Sequence, residues 1–480
     1  MMIRDKVQLN SLIFSLYIPW LISTAFFDYP VISYWIAWFG SIFIFFQTWF
    51  SKNRFLLPDF PLYRQIMRPL FLQQLIFAGF MCCTSAFYFL DKTGYMYLEK
   101  IDDINIAQEH EPLALIAYCQ RLSLLAHASL VTGMLLIQKN HLKNRPWFQA
   151  VDPRIKGDWI IRVCVITFIL SLAMERIPGL YQFSIGLYNV AIFSGAVILV
   201  RGFREHKPFL SLIGGGLFIA NLINSTLTGY KEHILVNIII LTCLLYPYYR
   251  KTVLVVSVPI FIILFYLLPT YANTIRSQSW FGNASAEDAR SAAVSAVLET
   301  DPQILKENNW LFLTYRLSEI DMFKDFVNTT PREIPFYGFE IVKNSLIVVI
   351  PRALWPGKPI TEALAMERVY NAGIVELESS VSAKTRPVVD GYLSAGTFGV
   401  FIYMLILGMI SQALSNFSEN IFGGYEPGCV IFYNGFFQLL WRGETTEFLI
   451  NSIFWSFVMM IIVFRILIWG NYLEKVKKNY

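Results

Sequence analysis

Three prolines and two cations share the ten residues 350–359 (IPRALWPGKP). The prolines limit helix and fix turns, so Arg352 and Lys358 sit on a stiff, irregular scaffold. A planar guanidinium fork beside a point-charge ammonium suits a diphosphate. The same residues also suit a Pro-rich interfacial turn whose cations snorkel to water. A second segment, 390–400 (DGYLSAGTFGV), opens a late apolar stretch. Its Gly391, Gly396 and Gly399 allow close helix packing. Asp390 could act as a base or orient a sugar hydroxyl; as a helix cap it would serve equally well. A third segment, 227–232 (LTGYKE), carries Lys231 and Glu232, either a working pair or two snorkelling charges at a turn. A fourth, 441–447 (WRGETTE), brings Arg442, Glu444 and Glu447 onto one short loop, which a solvated hairpin also explains.

Cations interleaved with carboxylates and aromatics are the parts needed to bind an anionic lipid carrier and sugars. No DxD triplet is present, and fixed cations can replace a metal in stabilising a diphosphate leaving group. The six cysteines fall in apolar segments and show no metal spacing. The five histidines are scattered, so no metal site is expected. The charge of +5 forms no basic stripe, which excludes nucleic-acid binding.

The elements that must position these residues are membrane spans. The 480 residues are 55% hydrophobic and only 15% charged, against about 25% charged in soluble domains. A span needs about 20 mostly apolar residues. Twelve such stretches lie near 12–27, 31–50, 70–90, 113–137, 159–174, 183–200, 209–227, 233–249, 252–270, 391–412, 427–441 and 448–469. The first lacks a cleavage site and reads as a signal anchor. About nineteen Lys and Arg fall on one set of connections and the tail, about five on the short opposite loops. That bias puts both termini in the cytoplasm and the acidic loop 91–112 outside. The expected fold is an all-α polytopic membrane protein: spans 1–9 over residues 1–270, an extracytoplasmic loop over 271–390, and spans 10–12 with a cytoplasmic tail over 391–480. A loop that long carries function. Within it, 311–327 reads as an amphipathic helix, and 345–350 (SLIVVI) is too short to span, hence interfacial or re-entrant. Gln120 and His127 share a face of the fourth span directed into the bundle. Asn221 and Asn224 share a face of the seventh, as helix glue or as ligands.

These motifs resemble those of the Wzy-type polysaccharide (O-antigen) polymerases of bacterial inner membranes. The run 351–359 is similar to that family's loop motif. Residues 390–400 are similar to its acidic-x-Tyr-Leu-x-x-Gly-x-x-Gly pattern, with Asp390 in place of the usual Glu. Gly229-Tyr230-Lys231 stands where relatives carry a Gly-Ser-Arg-like turn, and the Arg-x₁₀-Gly loop motif of some members is missing. The resemblance implies a C-type membrane glycosyltransferase, independent of metal and cofactor. It would join oligosaccharide repeat units carried on undecaprenyl diphosphate, with a chain-length regulator as partner. Arg352 and Lys358, then Arg276, Arg386, Lys231 and Arg442, are expected to hold the diphosphate. The base is expected to be Asp390, then Glu232, Glu447 or Glu362. An O-antigen ligase shares the fold and donor. A transporter or flippase would instead line a central cavity with charges, whereas here the polar residues gather in one loop.

Overall fold

The computed structural model describes residues 2–49, 62–94, 110–141, 146–151, 158–177, 180–227, 231–276, 286–299, 301–352, 354–376 and 383–476. The protein is mostly helical, and six of its described helices are long and apolar enough to cross a membrane. They are α2 (Pro30–Trp49), α3 (Pro69–Lys92), α4 (His110–His141), α6 (Tyr181–Arg204), α15 (Pro387–Phe422) and α18 (Thr446–Trp469). Twelve spans were expected. The apolar parts of α1 (Met2–Ala25), α7 (Pro208–Leu227) and α8 (Lys231–Leu245) are shorter, and α5 (Trp159–Glu175) has 17 residues. α9 (Arg250–Arg276) carries Pro259 and Pro269 inside it. The eleventh expected span is not one helix. It is a π-helix (Tyr425–Tyr433) followed by α16 (Asn434–Phe436) and α17 (Gln438–Arg442), broken at Phe437. Most of the acidic loop 91–112 lies outside the described residues.

The chain divides into two compact units. One holds 1–151, 177–183 and 317–480 and carries every site described below; the other holds 152–176 and 184–316. In the first, α4 and α15 pack backbone to backbone. A Cβ on Gly133 would stand 2.1 Å from the Leu405 carbonyl oxygen, and one on Gly408 2.0 Å from that of Leu130. Only glycine permits this approach, which brings the backbones of two apolar helices into van der Waals contact. Gln120 and His127 are buried on α4, as expected: the Gln120 amide donates to the Cys82 carbonyl at 3.0 Å. Strands β1 (Phe148–Ala150) and β2 (Leu473–Lys475) pair antiparallel, with Phe148 opposite Lys475. In the second unit, the Asn221 amide donates to Asn237 of α8 at 2.7 Å and accepts from Tyr188 of α6 at 2.8 Å. It therefore ties three helices together; the Asn224 side chain lies outside the description.

The long loop is helical: α10 (Ala286–Glu299), α11 (Pro302–Phe312), α12 (Ile320–Thr329), α13 (Glu340–Val349) and α14 (Thr361–Asn371). The helix expected over 311–327 is two. A π turn (Leu313–Leu317) leads to a break at Ser318 and Glu319, where the Ser318 hydroxyl accepts from the Ile320 amide at 3.5 Å. Serine competes with the helix in this way wherever its hydroxyl can cap the next turn.

Candidate functional site

Residues 390–400 form a helical hairpin rather than the straight opening of a span. Ala395 and Gly396 leave helical geometry, and Gly396 has φ +62°. The short arm before them folds back on the long one. A Cβ on Gly399 would meet the Gly391 carbonyl oxygen at 2.0 Å, and one on Gly391 the Tyr403 Cβ at 3.0 Å. Two glycines allow the arms to touch, while the third makes the turn.

Folding back carries Asp390 to the N-terminus of α18. Its Oδ2 accepts from the Thr446 amide at 2.8 Å and the Thr446 hydroxyl at 2.7 Å. Its Oδ1 accepts from the Thr385 hydroxyl at 2.6 Å and from Arg368 Nε at 2.9 Å. Asp390 is thus a helix cap, but for a neighbouring helix, where a carboxylate meets the positive end of the dipole. Glu447, in the first turn of α18, accepts both Nη1 and Nη2 of Arg368, at 2.8 and 2.7 Å. The side chains of Arg368, Asp390 and Glu447 are 3%, 0% and 0% exposed. Burial alone would lower the Arg368 pKa; the two carboxylates outweigh it and raise it. The three-residue cluster has a formal charge of −1.

Sequence reasoning named Asp390 and Glu447 but missed Arg368, the residue that joins them. One signal was available: two carboxylates at the starts of apolar helices require a cation once buried.

Two crevices adjoin this cluster. The first, about 400 Å³, lies between α3, α15 and α17. Its wall is apolar, from Ile76, Phe77, Phe80, Leu130 and Met404, and Arg386 and Arg442 also line it. Arg386 Nη2 donates to Glu319 at 2.9 Å, Nη1 donates to the Gly443 carbonyl at 2.6 Å, and the guanidinium lies 5.0 Å from the Phe80 ring centroid. Gln73 Oε1 and Trp441 Nε1, on two further lining residues, are buried without a partner among the described residues. The second crevice, about 220 Å³, is lined by Tyr337, Glu340, Ile341, Asn344, Leu364, Glu367 and Arg368. Glu340 and Glu367 are exposed.

Arg352, Lys358 and Glu362 line neither crevice. Arg352 is exposed. The Lys358 ammonium donates to the Val348 and Ile350 carbonyls at 2.7 and 2.8 Å, capping the C-terminus of α13. Partial burial and the neighbouring Arg352 lower its pKa. Glu362 lies half-buried in the first turn of α14. Lys231 and Glu232 open α8 and Arg276 ends α9, but their side chains fall outside the described residues, as do Gly229 and Tyr230. Among the described residues, no three His, Cys, Asp or Glu side chains are gathered to hold a metal ion.

No curated protein and no solved structure matches the chain. Residues 18–475 match the family model described as a domain of unknown function (DUF8712), and the chain therefore belongs to that family.

Proposed function

We propose that the protein is a multi-pass enzyme of the bacterial inner membrane, both termini cytoplasmic, that polymerises oligosaccharide repeat units carried on undecaprenyl diphosphate. The observation that carries this reading is the first crevice: an apolar cleft between helices, lined also by two arginines, beside a buried charge cluster. An isoprenoid diphosphate has that same polarity, a greasy tail and a dianionic head. In the reaction, a hydroxyl oxygen of the acceptor sugar bonds to the anomeric carbon of the growing chain. The bond from that carbon to the diphosphate oxygen breaks, and undecaprenyl diphosphate leaves into the field of Arg386 and Arg442.

Asp390 and Glu447 spend their oxygens on Arg368 and Thr446, so their role is positioning: they fix α14 against the starts of α15 and α18. The carboxylates open to an acceptor hydroxyl are Glu367 and Glu340, on the second crevice beside Tyr337 and Asn344. We assign the proton of that hydroxyl to Glu367. Loss of such a base costs about 10²–10⁴ in rate.

The test is gel analysis of surface polysaccharide from a deletion strain complemented with wild type, Arg386→Ala, Arg442→Ala or Glu367→Gln at matched membrane levels. A deletion strain that leaves lipid A core capped by single repeats, with the ladder restored by wild type alone, is the expected result. A deletion strain with no capped core at all would overturn the polymerase in favour of a ligase or flippase.

A further inference from the structure

The most unusual stretch of the sequence, 350–359, takes no part in either crevice. It is the tip of a hairpin whose arms are α13 and α14. One end of the hairpin is fixed beside the cluster: the Tyr337 and Gly338 amides donate to the Leu393 and Ser394 carbonyls, and Asn371 donates to the Tyr337 hydroxyl. The other end runs along α18. Trp455 Nε1 donates to the Val349 carbonyl at 3.2 Å. Trp455 lies nine residues into α18, about 13 Å along a helix at 1.5 Å per residue. The tip has therefore travelled past Thr446 and down the flank of a helix apolar enough to span a bilayer.

Two independent features describe its surroundings. The tip and its arms expose large apolar side chains: Leu346 60%, Leu354 80%, Ile360 60%, with Ile350 and Trp355 partly exposed. The helix they run along, α18, itself exposes Phe454, Phe457, Ile462 and Ile466. The backbone at the end of α13 is also satisfied from within. Lys358 takes the Val348 and Ile350 carbonyls, Trp455 takes Val349, and the Ile350 amide takes Ile347. Pro351, Pro356 and Pro359 have no amide to satisfy, and the Leu354, Trp355 and Lys358 amides bond within the tip. Water would serve these groups in an ordinary surface loop. Irregular backbone persists at membrane depth only when its polar groups find partners in the protein.

We propose that the hairpin 340–371 is re-entrant: its tip enters the leaflet beside the N-terminal half of α18, with Leu346, Leu354 and Ile360 among the lipid acyl chains. Arg352, exposed at the tip, extends towards the phosphate level as long cations do. Lys358 is then a strut holding the tip's carbonyls rather than a ligand for substrate. The inference concerns the fold's contact with lipid and stands whether or not the protein is a polymerase.

The experiment uses the full-length chain in vesicles of phosphatidylethanolamine and phosphatidylglycerol, in a background whose native cysteines are replaced. Single cysteines at Leu346, Leu354 and Ile360 carry an environment-sensitive fluorophore. Ile462 serves as the lipid-facing reference and Glu333 as the aqueous one. The expected result is blue-shifted emission at all three tip positions, quenched by a nitroxide on the upper acyl chain as strongly as at Ile462 and sheltered from aqueous iodide. Emission like that at Glu333, quenched by iodide and not by the lipid nitroxide, would overturn the proposal. So would a tip position quenched best by a nitroxide on the headgroup, which places the hairpin on the surface rather than in the leaflet.

Discussion

Arg368 has three obligations: it pairs with Asp390, pairs with Glu447, and through them ties α14 to the starts of two apolar helices. Replacing it with alanine leaves two buried carboxylates uncompensated, at a cost of about 3–5 kcal/mol. The expected outcome for Arg368→Ala is a large fall in the thermal unfolding midpoint of the detergent-solubilised protein. Neutralising both partners as well, with Asp390→Asn and Glu447→Gln, is expected to recover much of that loss. If the single variant melts like wild type, the cluster is not the clamp described. The two carboxylates were legible in the sequence because each opens an apolar stretch, where a charge is conspicuous. Their partner was not, because the loop carries a dozen Lys and Arg and nothing local distinguishes Arg368 among them. Lys358 shows the opposite difficulty: its spacing from Arg352 suggested a shared anion, yet a lysine eight residues past a carbonyl can equally curl back to cap it, as this one does.

Helix 15 owes its shape to glycines that do different work. At Gly396 the φ of +62° and ψ of −143° lie where side chains other than glycine are strained by about 1–3 kcal/mol. At Gly399 a methyl would drive into the Gly391 carbonyl. Gly396→Ala and Gly399→Ala are both expected to open the hairpin and withdraw Asp390 from Thr446. The same substitution at Gly216, where a Cβ would meet nothing within 4 Å, is expected to leave the melting temperature unchanged. Equal effects at all three positions would mean that composition rather than geometry is at issue. The long apolar elements were legible from composition and length. The reversal at 395–396 was not, since a run of glycines and apolar residues reads the same in a straight packed helix and in a folded one. The broken stretch 425–442 escaped for a related reason: it is mostly apolar and largely buried, and no residue type announces its π-helical start or the break at Phe437.

Across the whole molecule, α15 is pinned near both ends. Opposite its Asp390 end, Glu419 accepts Nε and Nη2 of Arg68 at 2.7 and 2.8 Å, and Arg68 lies 4.9 Å from the Tyr425 ring centroid. Both partners are buried, so Glu419→Gln is expected to destabilise by about 3–5 kcal/mol, read as lost yield and a lower melting temperature. Under the proposed orientation, a reporter joined after Tyr480 works only in the cytoplasm, and one inserted near residue 300 works only outside it. The reverse pattern would reject that orientation. The contact between Gly133 and Gly408 carries a further consequence, for biogenesis. The partner of α4 is encoded about 250 residues after it. At about 5–20 residues per second, the ribosome needs on the order of 10–50 s to deliver α15 once α4 has emerged. For that interval Tyr118 and Gln138 of α4, whose hydrogen-bond partners Thr397 and Gln412 lie on α15, wait without the helix that later covers them. A chain ending before Pro387 stays in that waiting state, a natural substrate for membrane proteases, and its half-life in cells measures how long the fourth helix can be held open.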